Sequence, residues 1–158
     1  DNLVSLKYLS LCSNKITKIE GLDNLVSLKY LSLCSNKITK IEGLDRLVNL
    51  KRLWSSSNKI KKIEGLDRLV NINCLDLSDN QITKIENIIH LRNIRFFNYA
   101  DNPIDYIPPH IQRFLNGVSN RHNIYNENQS VHDYNIQKSL MESINNLLSY
   151  PNGCDVFI

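Results

Sequence analysis

Residues 2–23 read NLVSLKYLSLCSNKITKIEGLD, and residues 24–45 repeat those 22 letters without a change. A third copy with substitutions, RLVNLKRLWSSSNKIKKIEGLD, follows at residues 46–67, and more divergent copies cover residues 68–89 and 90–110. A fixed short period indicates a repeat architecture, because one such unit cannot bury its own apolar side chains. Stacked units can bury them, so the sequence predicts a solenoid in which each unit contacts its neighbours.

Every unit has the same spacing of apolar residues before an asparagine. In the first unit it reads Leu6-x-x-Leu9-x-Leu11-x-x-Asn14. Alternation around the central leucines predicts a short strand with one buried face, and the rest of the unit supplies the crossover that parallel strands need. An amide side chain can both donate to and accept from the backbone of a buried turn. The asparagines predicted to form such a structural ladder are Asn14, Asn36, Asn58, Asn80 and Asn102.

The recurring pattern L-x-x-L-x-L-x-x-N resembles that of the leucine-rich repeat family. The 22-residue form with I-x-x-I after the asparagine, as at Ile16 and Ile19, resembles the subclass typified by the nuclear regulator of protein phosphatase 1. This resemblance implies an α/β fold, a leucine-rich-repeat solenoid over residues 1–110. The solenoid is expected to have a parallel sheet on its concave side, short convex 3-10 or helical turns, and a C-terminal helical cap.

Beyond the repeats, the sequence predicts three segments. A capping helix is expected at 109–117, because Pro109 suits the first turn of a helix and Gly117 suits its end. Residues 118–132 are rich in asparagine without apolar periodicity and are predicted to form a loop. Residues 133–149 have apolar side chains on one helical face, which predicts an amphipathic helix or the start of a further domain.

Two observations concern the origin of the chain. Residues 124–148 resemble a segment that follows the repeats in leucine-rich-repeat proteins of giant, mimivirus-type viruses that infect amoebae. The resemblance implies a location in the host cytoplasm. The first residue, Asp1, matches Asp23 and Asp45, which close the first two units, so we expect the array to continue N-terminally in a longer protein with an apolar end exposed here.

Composition and cysteine spacing favour a cytoplasmic protein without a metal or cofactor. The net charge of +3 is too small to indicate a nucleic acid or an acidic membrane as the partner. The four cysteines include no C-x-x-C pair, and reduced thiols are expected. As an alternative, Cys12 and Cys34 are expected about 4.8 Å apart on neighbouring strands, close enough for a disulfide or a two-thiolate metal contact. His110, His122 and His132 have no spacing typical of catalysis, so no enzyme activity is predicted.

The residues between the leucines of each strand are expected on the concave face. Aromatic residues and arginine, which are enriched in binding hot spots, are frequent there. Alternatively, these aromatics only stack on one another across strands. In the third unit, Ser55 replaces a core leucine, so a shifted strand that turns Trp54 into the core is a second alternative. The predicted partner-binding residues are Tyr8, Tyr30, Arg52, Trp54, Asp76, Phe96 and Asn98.

These features favour a protein–protein interaction module over an enzyme. The expected partner is a protein, and the chain itself is expected to be a monomer or to associate end to end. Two alternatives place the chain within a larger protein, as the substrate-recruiting part of a ubiquitin ligase or as a regulator of a phosphatase. A third is that freshly duplicated repeats have no selected function, since a fold alone does not determine one.

Overall fold

The computed structural model describes residues 3–119 and two short strands at residues 123–125 and 156–157. Each repeat contributes one strand of three residues, and a helix follows the last repeat. A 3-10 turn at Leu3–Ser5 precedes the first strand. The elements in chain order are β1 Tyr8–Ser10, β2 Tyr30–Ser32, β3 Arg52–Trp54, β4 Cys74–Asp76, β5 Phe96–Asn98, α1 Pro109–Ser119, β6 Asn123–Tyr125 and β7 Val156–Phe157.

All the strands lie in one sheet, in the order β6-β5-β4-β3-β2-β1-β7. Strands β1 to β5 pair in parallel, and their register advances by one repeat at each step, as in the pairs Leu9↔Leu31 and Leu31↔Leu53. The constant register follows from the constant length of the crossover between strands. The predicted leucine-rich-repeat solenoid with a parallel sheet is therefore confirmed.

The central residue of each strand points into a continuous apolar core. Leu31, Leu53 and Leu75 are fully buried there, with isoleucines of the crossovers packed around them. On the convex side, consecutive i→i−3 bonds shape the chain, for example from Leu47 N to Leu44 O and from Leu50 N to Leu47 O, both 2.9 Å. These bonds are of the 3-10 type, which lets two short turns replace a full helix in each unit.

The asparagine ladder joins each turn to the preceding repeat. Asn58 Nδ2 donates to Leu33 O at 2.9 Å and to Ser55 O at 3.3 Å, while its Oδ1 accepts from Ile38 N at 3.0 Å. Asn36, Asn80 and Asn102 repeat this arrangement. The ladder thus satisfies backbone groups that the buried turns leave unpaired.

A second ladder on the convex side was not predicted. The exposed amides of Asn49, Asn71 and Asn93 donate to carbonyl oxygens one repeat earlier, at 2.9, 2.9 and 3.0 Å. The accepting residues are Val26, Val48 and Val70. The 22-residue spacing of these asparagines was the sequence signal for it.

One convex turn shows how a substitution is accommodated. Gly43 has a φ of +67°, and a Cβ there would lie 2.8 Å from Ile19 O, so a side chain is disfavoured on both counts. The fourth repeat nevertheless has Asn87 in this place, with a φ of 57°. Its Nδ2 donates to Ile63 O at 3.0 Å, so the side chain bonds to the carbonyl that crowds the position.

The C-terminal part differs from the sequence prediction at the end of the helix and at β6. Helix α1 occupies the place predicted for the cap, ends at Ser119 rather than 117, and buries Ile111 and Leu115 against the core. The prediction of a loop over 118–132 is wrong at β6, which pairs in parallel with β5. The open edge of β5 offers unpaired backbone groups that a following extended segment can satisfy. The helix predicted at 133–149 lies outside the described residues.

Candidate functional site

The sheet face opposite the core, called here the concave face, presents three columns of side chains. The register of the strands defines each column, because paired residues lie side by side. The first column contains Tyr8, Tyr30, Arg52, Cys74 and Phe96. The second column contains Ser10, Ser32, Trp54, Asp76 and Asn98. The third column, just past the strands, contains Cys12, Cys34, Ser56, Ser78 and Ala100.

The first column is accessible and ordered by stacking. The rings of Tyr8 and Tyr30 are stacked with centroids 4.4 Å apart and planes 5° apart. The Arg52 guanidinium lies 5.0 Å from the centroid of the Tyr30 ring, within the range of a cation–π interaction. Tyr8 is 36% exposed, and Tyr30, Arg52 and Phe96 are half-buried. We refer to Tyr8, Tyr30 and Arg52 as the stacked series.

The second column is buried from β2 to β5. Trp54, the only tryptophan, is 2% exposed, although it lies on the concave side of its strand. The Arg52 guanidinium is 6.0 Å from its ring. The indole Nε1 has no hydrogen-bond partner among the described residues. Trp54 therefore lies beneath the accessible layer and beside Arg52, and it presents almost no surface of its own.

The shifted-strand alternative for the third repeat is wrong. Leu53 is fully buried in the core, and Trp54 pairs with Asp76 in the regular register. Backbone hydrogen bonds from Leu33 N to Trp54 O at 2.7 Å and from Ser55 N to Asp76 O at 2.8 Å continue the regular pairing of β3 with its two neighbouring strands. Ser55 consequently occupies a core position with no exposure, and its Oγ has no partner among the described residues.

Two neighbouring groups on β4 have raised pKa values. Burial is the main cause that raises the pKa of the Asp76 carboxyl, and hydrogen bonds from Ser78 N at 3.0 Å and Ser78 Oγ at 2.7 Å oppose it. Burial also raises the pKa of the Cys74 thiol to about 12, with a further contribution from the charge of Asp76. Cys74 is therefore a protonated thiol at neutral pH and a poor nucleophile.

The structure divides the seven predicted binding residues into two groups. Four of them, Tyr8, Tyr30, Arg52 and Phe96, reach the surface in the first column. The other three, Trp54, Asp76 and Asn98, are buried in the second column. The prediction that these residues contact a partner stays a prediction, and the accessible group is the part of it that can touch one directly.

The sequence analysis gave a disulfide between Cys12 and Cys34 as an alternative, but it did not predict the Ser32 hydroxyl that contacts both sulfurs. Cys12 Sγ lies 2.7 Å from Ser32 Oγ, and the same hydroxyl lies 3.5 Å from Cys34 Sγ. The duplication of one cysteine into neighbouring repeats was visible in the sequence, but the shared hydroxyl bond was not. These contacts place two thiols and one hydroxyl next to one another on the concave face.

Other kinds of site are not apparent in the described part of the chain. Within it, no group of three or more His, Cys, Asp or Glu side chains is arranged to hold a metal ion. No helix in the same residues is long and apolar enough to cross a bilayer.

Comparisons with known proteins agree with this geometry. Residues 4–46 match a family model described as leucine-rich repeats in 2 copies. A search of curated protein sequences gives no match.

Among solved structures, the chain is similar to the internalin InlF of Listeria monocytogenes, with 31% identity and a TM-score of 0.70 over 80% of this chain and 36% of that one. Internalin C2 of the same organism gives 30% identity and a TM-score of 0.68, over 77% of this chain and 52% of that one. A leucine-rich-repeat protein of Leptospira interrogans, at 22% identity, a TM-score of 0.58, and coverage of 75% of this chain and 36% of that one, shows the shared fold alone.

The chain thus spans only part of the length of each of these structures. It carries leucine-rich repeats arranged as a leucine-rich-repeat solenoid, with internalins among the proteins of similar structure.

Proposed function

We propose that this chain is a protein-interaction module that binds a partner protein through the first column of its concave face. The stacked series of Tyr8, Tyr30 and Arg52 is the observation that supports the proposal. Stacking holds these side chains in one arrangement before a partner arrives, which lowers the entropy lost on binding. Tyrosine and arginine are also among the residues that contribute most to binding energy at protein interfaces.

The buried second column has a supporting role in this proposal. Trp54 is beside the Arg52 guanidinium and fills the space beneath the accessible layer, so it keeps Arg52 in place over Tyr30. A partner then contacts Tyr8, Tyr30, Arg52 and Phe96, while Trp54 acts through Arg52. Solenoids commonly use such extended concave surfaces for binding, which agrees with this assignment.

Finer features of function stay proposals that no contact among the described residues supports. These are membership of the phosphatase-1-regulator subclass, relation to giant-virus proteins, location in the cytoplasm, and end-to-end association. The roles in substrate recruitment for a ubiquitin ligase and in phosphatase regulation stay proposals in the same way. Contacts among the described residues favour none of them over the others, so the proposal stops at a protein partner bound without catalysis.

A displayed library of protein fragments, selected against the purified chain, tests the concave surface. The affinity of the selected fragments is then measured for the wild type, Tyr30→Ala, Arg52→Ala and a control, Val70→Ala. Val70 is 49% exposed and lies on the convex side, so it is an accessible side chain away from the concave face. We expect both concave variants to weaken binding by about tenfold or more, since hot-spot truncations cost upward of about 1–2 kcal/mol, while Val70→Ala leaves it unchanged.

Melting temperatures of the variants separate loss of binding from loss of folding. Fragments that bind both concave variants as well as the wild type, but lose affinity for Val70→Ala, would place the interface on the convex side and refute the proposal. Failure to select any fragment would also count against it.

A further inference from the structure

Cys12 and Cys34 lie side by side at the N-terminal end of the concave face. Backbone bonds from Leu11 N to Ser32 O at 2.8 Å and from Ser13 N to Cys34 O at 2.9 Å hold the two chain segments together around them. The Ser32 hydroxyl contacts both sulfurs, at 2.7 Å for Cys12 and 3.5 Å for Cys34. Both thiols are half-buried and reduced. Cysteines on adjacent strands are within the Cα separation that a disulfide tolerates.

The surroundings give the two thiols opposite protonation states. A hydrogen bond from the Cys34 thiol is the main cause that lowers the pKa of Cys12 to about 6. The hydroxyls of Ser32 and Ser10 and the backbone of Cys34 add to this, and together they outweigh the opposing effect of burial. The same thiol–thiol bond raises the pKa of Cys34, because Cys34 is the donor, and burial and the negative charge of Cys12 raise it further. At neutral pH the pair is a thiolate beside a thiol.

We propose that Cys12 and Cys34 form an oxidant-reactive site, in which Cys12 reacts with a peroxide and Cys34 completes a disulfide between the first two repeats. The Cys12 thiolate attacks one peroxide oxygen, the O–O bond breaks, and hydroxide leaves, so Cys12 becomes a sulfenic acid. The Cys34 sulfur then attacks the Cys12 sulfur, and its proton and the sulfenic hydroxyl leave as water. The two sulfurs lose two electrons in total, and the peroxide accepts them.

The third cysteine of the described residues serves as an internal comparison. Cys74 stands in the first column between Arg52 and Phe96, with no cysteine opposite it. Its pKa of about 12 leaves it protonated at neutral pH. The proposal therefore expects oxidation to select the pair and to spare Cys74. It is independent of the proposed binding function, since the reaction needs no partner protein.

The exact duplication prevents the usual mapping of a disulfide by its linked peptides. Cleavage after lysine releases residues 8–15 and 30–37, which have the same sequence, YLSLCSNK. A linked pair of these peptides arises equally from a bond within one chain and from a bond between two chains. The mass of the intact monomer, measured without reductant, is therefore the decisive quantity.

In the experiment, the full chain with Cys154→Ser is reduced, treated with hydrogen peroxide at pH 7 and analysed by intact mass. We expect a monomer about 2 Da lighter, from the two hydrogens lost when a disulfide forms. Cys12→Ser and Cys34→Ser should each abolish this product, whereas Cys74→Ser should not affect it. Serine occupies the matching position as Ser56 in the third repeat, so these variants are compatible with the fold. A disulfide that appears only in dimers, or that Cys74→Ser prevents, would overturn the proposal.

The pH dependence of alkylation by iodoacetamide tests the thiolate separately, in the Cys74→Ser, Cys154→Ser background. Thiolate content at pH 7 is about 90% for a pKa near 6 and about 3% for an ordinary thiol, but lower nucleophilicity reduces the gain in rate to about two- to threefold. The midpoint of the pH profile therefore tests the thiolate better than the alkylation rate at one pH does. For Cys12 we expect a midpoint near pH 6, which Cys34→Ala should raise and Cys34→Ser should largely retain. A midpoint above pH 8 in the parent chain would contradict the assignment.

Discussion

The first and second repeats have the same sequence, but their matched side chains are not equally buried. Leu33 in the second repeat is 1% exposed, whereas its counterpart Leu11 in the first is only partly buried. Ile38 and Ile16 differ in the same way. The second repeat lies between two parallel neighbours, while the first has one, and its other edge pairs with the antiparallel β7. Burial in this array is thus set by the neighbours of a unit as much as by its own residues.

The two identical repeats also differ in the pKa values of their matched cysteines. Cys12 and Cys34 occupy identical positions in identical sequences, yet the pKa of Cys12 is lowered and that of Cys34 is raised. The sign depends on which sulfur accepts the hydrogen bond and on how deeply each is buried. The two copies of one residue therefore form an unequal pair, although no substitution separates their repeats.

The fourth and fifth repeats show the converse, in which different residues share one environment. Asp76 and Asn98 are paired in the second column, and both are buried. Asp76 Oδ1 accepts from Ser78 N at 3.0 Å, and Asn98 Oδ1 accepts from Ala100 N at 3.1 Å. The shared bond indicates that the side-chain oxygen acts as an acceptor in these two repeats and that this role does not require a charge.

Truncating matched leucines should give the largest effect. Leu33→Ala leaves a cavity among fully buried side chains, so we expect it to lower the free energy of unfolding by about 3 kcal/mol. Leu11→Ala removes the same atoms from the same sequence at a partly exposed site, and about half that loss is expected. Denaturant unfolding of the two variants measures the difference. Equal losses would show that the end repeat is as well packed as the interior one.

The bond between the identical repeats gives the next largest effect. Asn36 Nδ2 donates to Leu11 O at 2.9 Å, and its Oδ1 accepts from Ile16 N at 3.1 Å, so it connects the second repeat to the first. Asn36→Ala leaves these groups unpaired, and we expect a loss of about 2–3 kcal/mol.

The control for Asn36→Ala is Asn49→Ser. Asn49 makes one exposed inter-repeat bond, and the second repeat already has Ser27 in that place. A change within about 0.5 kcal/mol is expected for this variant. If both variants lost the same stability, the buried ladder would contribute no more than the convex one.

The repeat architecture followed from spacing because a period of 22 residues determines which side chains lie in register. The exposure of Trp54 could not be derived in this way, since it depends on side chains of neighbouring strands. Strands β6 and β7 were also missed, because they lie outside the repeats, where a segment of two or three residues has no repeated spacing to reveal it and forms by pairing with an open edge. The opposite pKa shifts of Cys12 and Cys34 needed atomic distances that sequence identity conceals.

Replacing Asp76 with asparagine, the residue at position 98, tests whether the buried position in the fourth repeat needs a charge. Because the folded pKa of Asp76 lies above its unfolded value, the native state binds the proton more tightly. Stability should therefore fall as pH rises from about 4 through the folded pKa. Asp76→Asn retains the Oδ1 acceptor without the charge, so we expect a gain of at least about 1 kcal/mol at pH 7 and loss of this slope. Unfolding midpoints from pH 4 to 8 measure it, with Asp79→Asn as an exposed control on the same turn.

The smallest effect concerns the place where the third repeat departs from the second. Ser55 occupies the position of Leu33, and its buried hydroxyl has no partner among the described residues. Ser55→Ala removes the cost of that unpaired group and creates almost no cavity, so we expect stability to rise by about 1 kcal/mol. Ser56→Ala, half-buried on the concave side, should change it by less than about 0.5 kcal/mol. A loss of stability in Ser55→Ala would mean that the hydroxyl is bonded within the folded protein, and the core of the third repeat would then be as well satisfied as that of its neighbours.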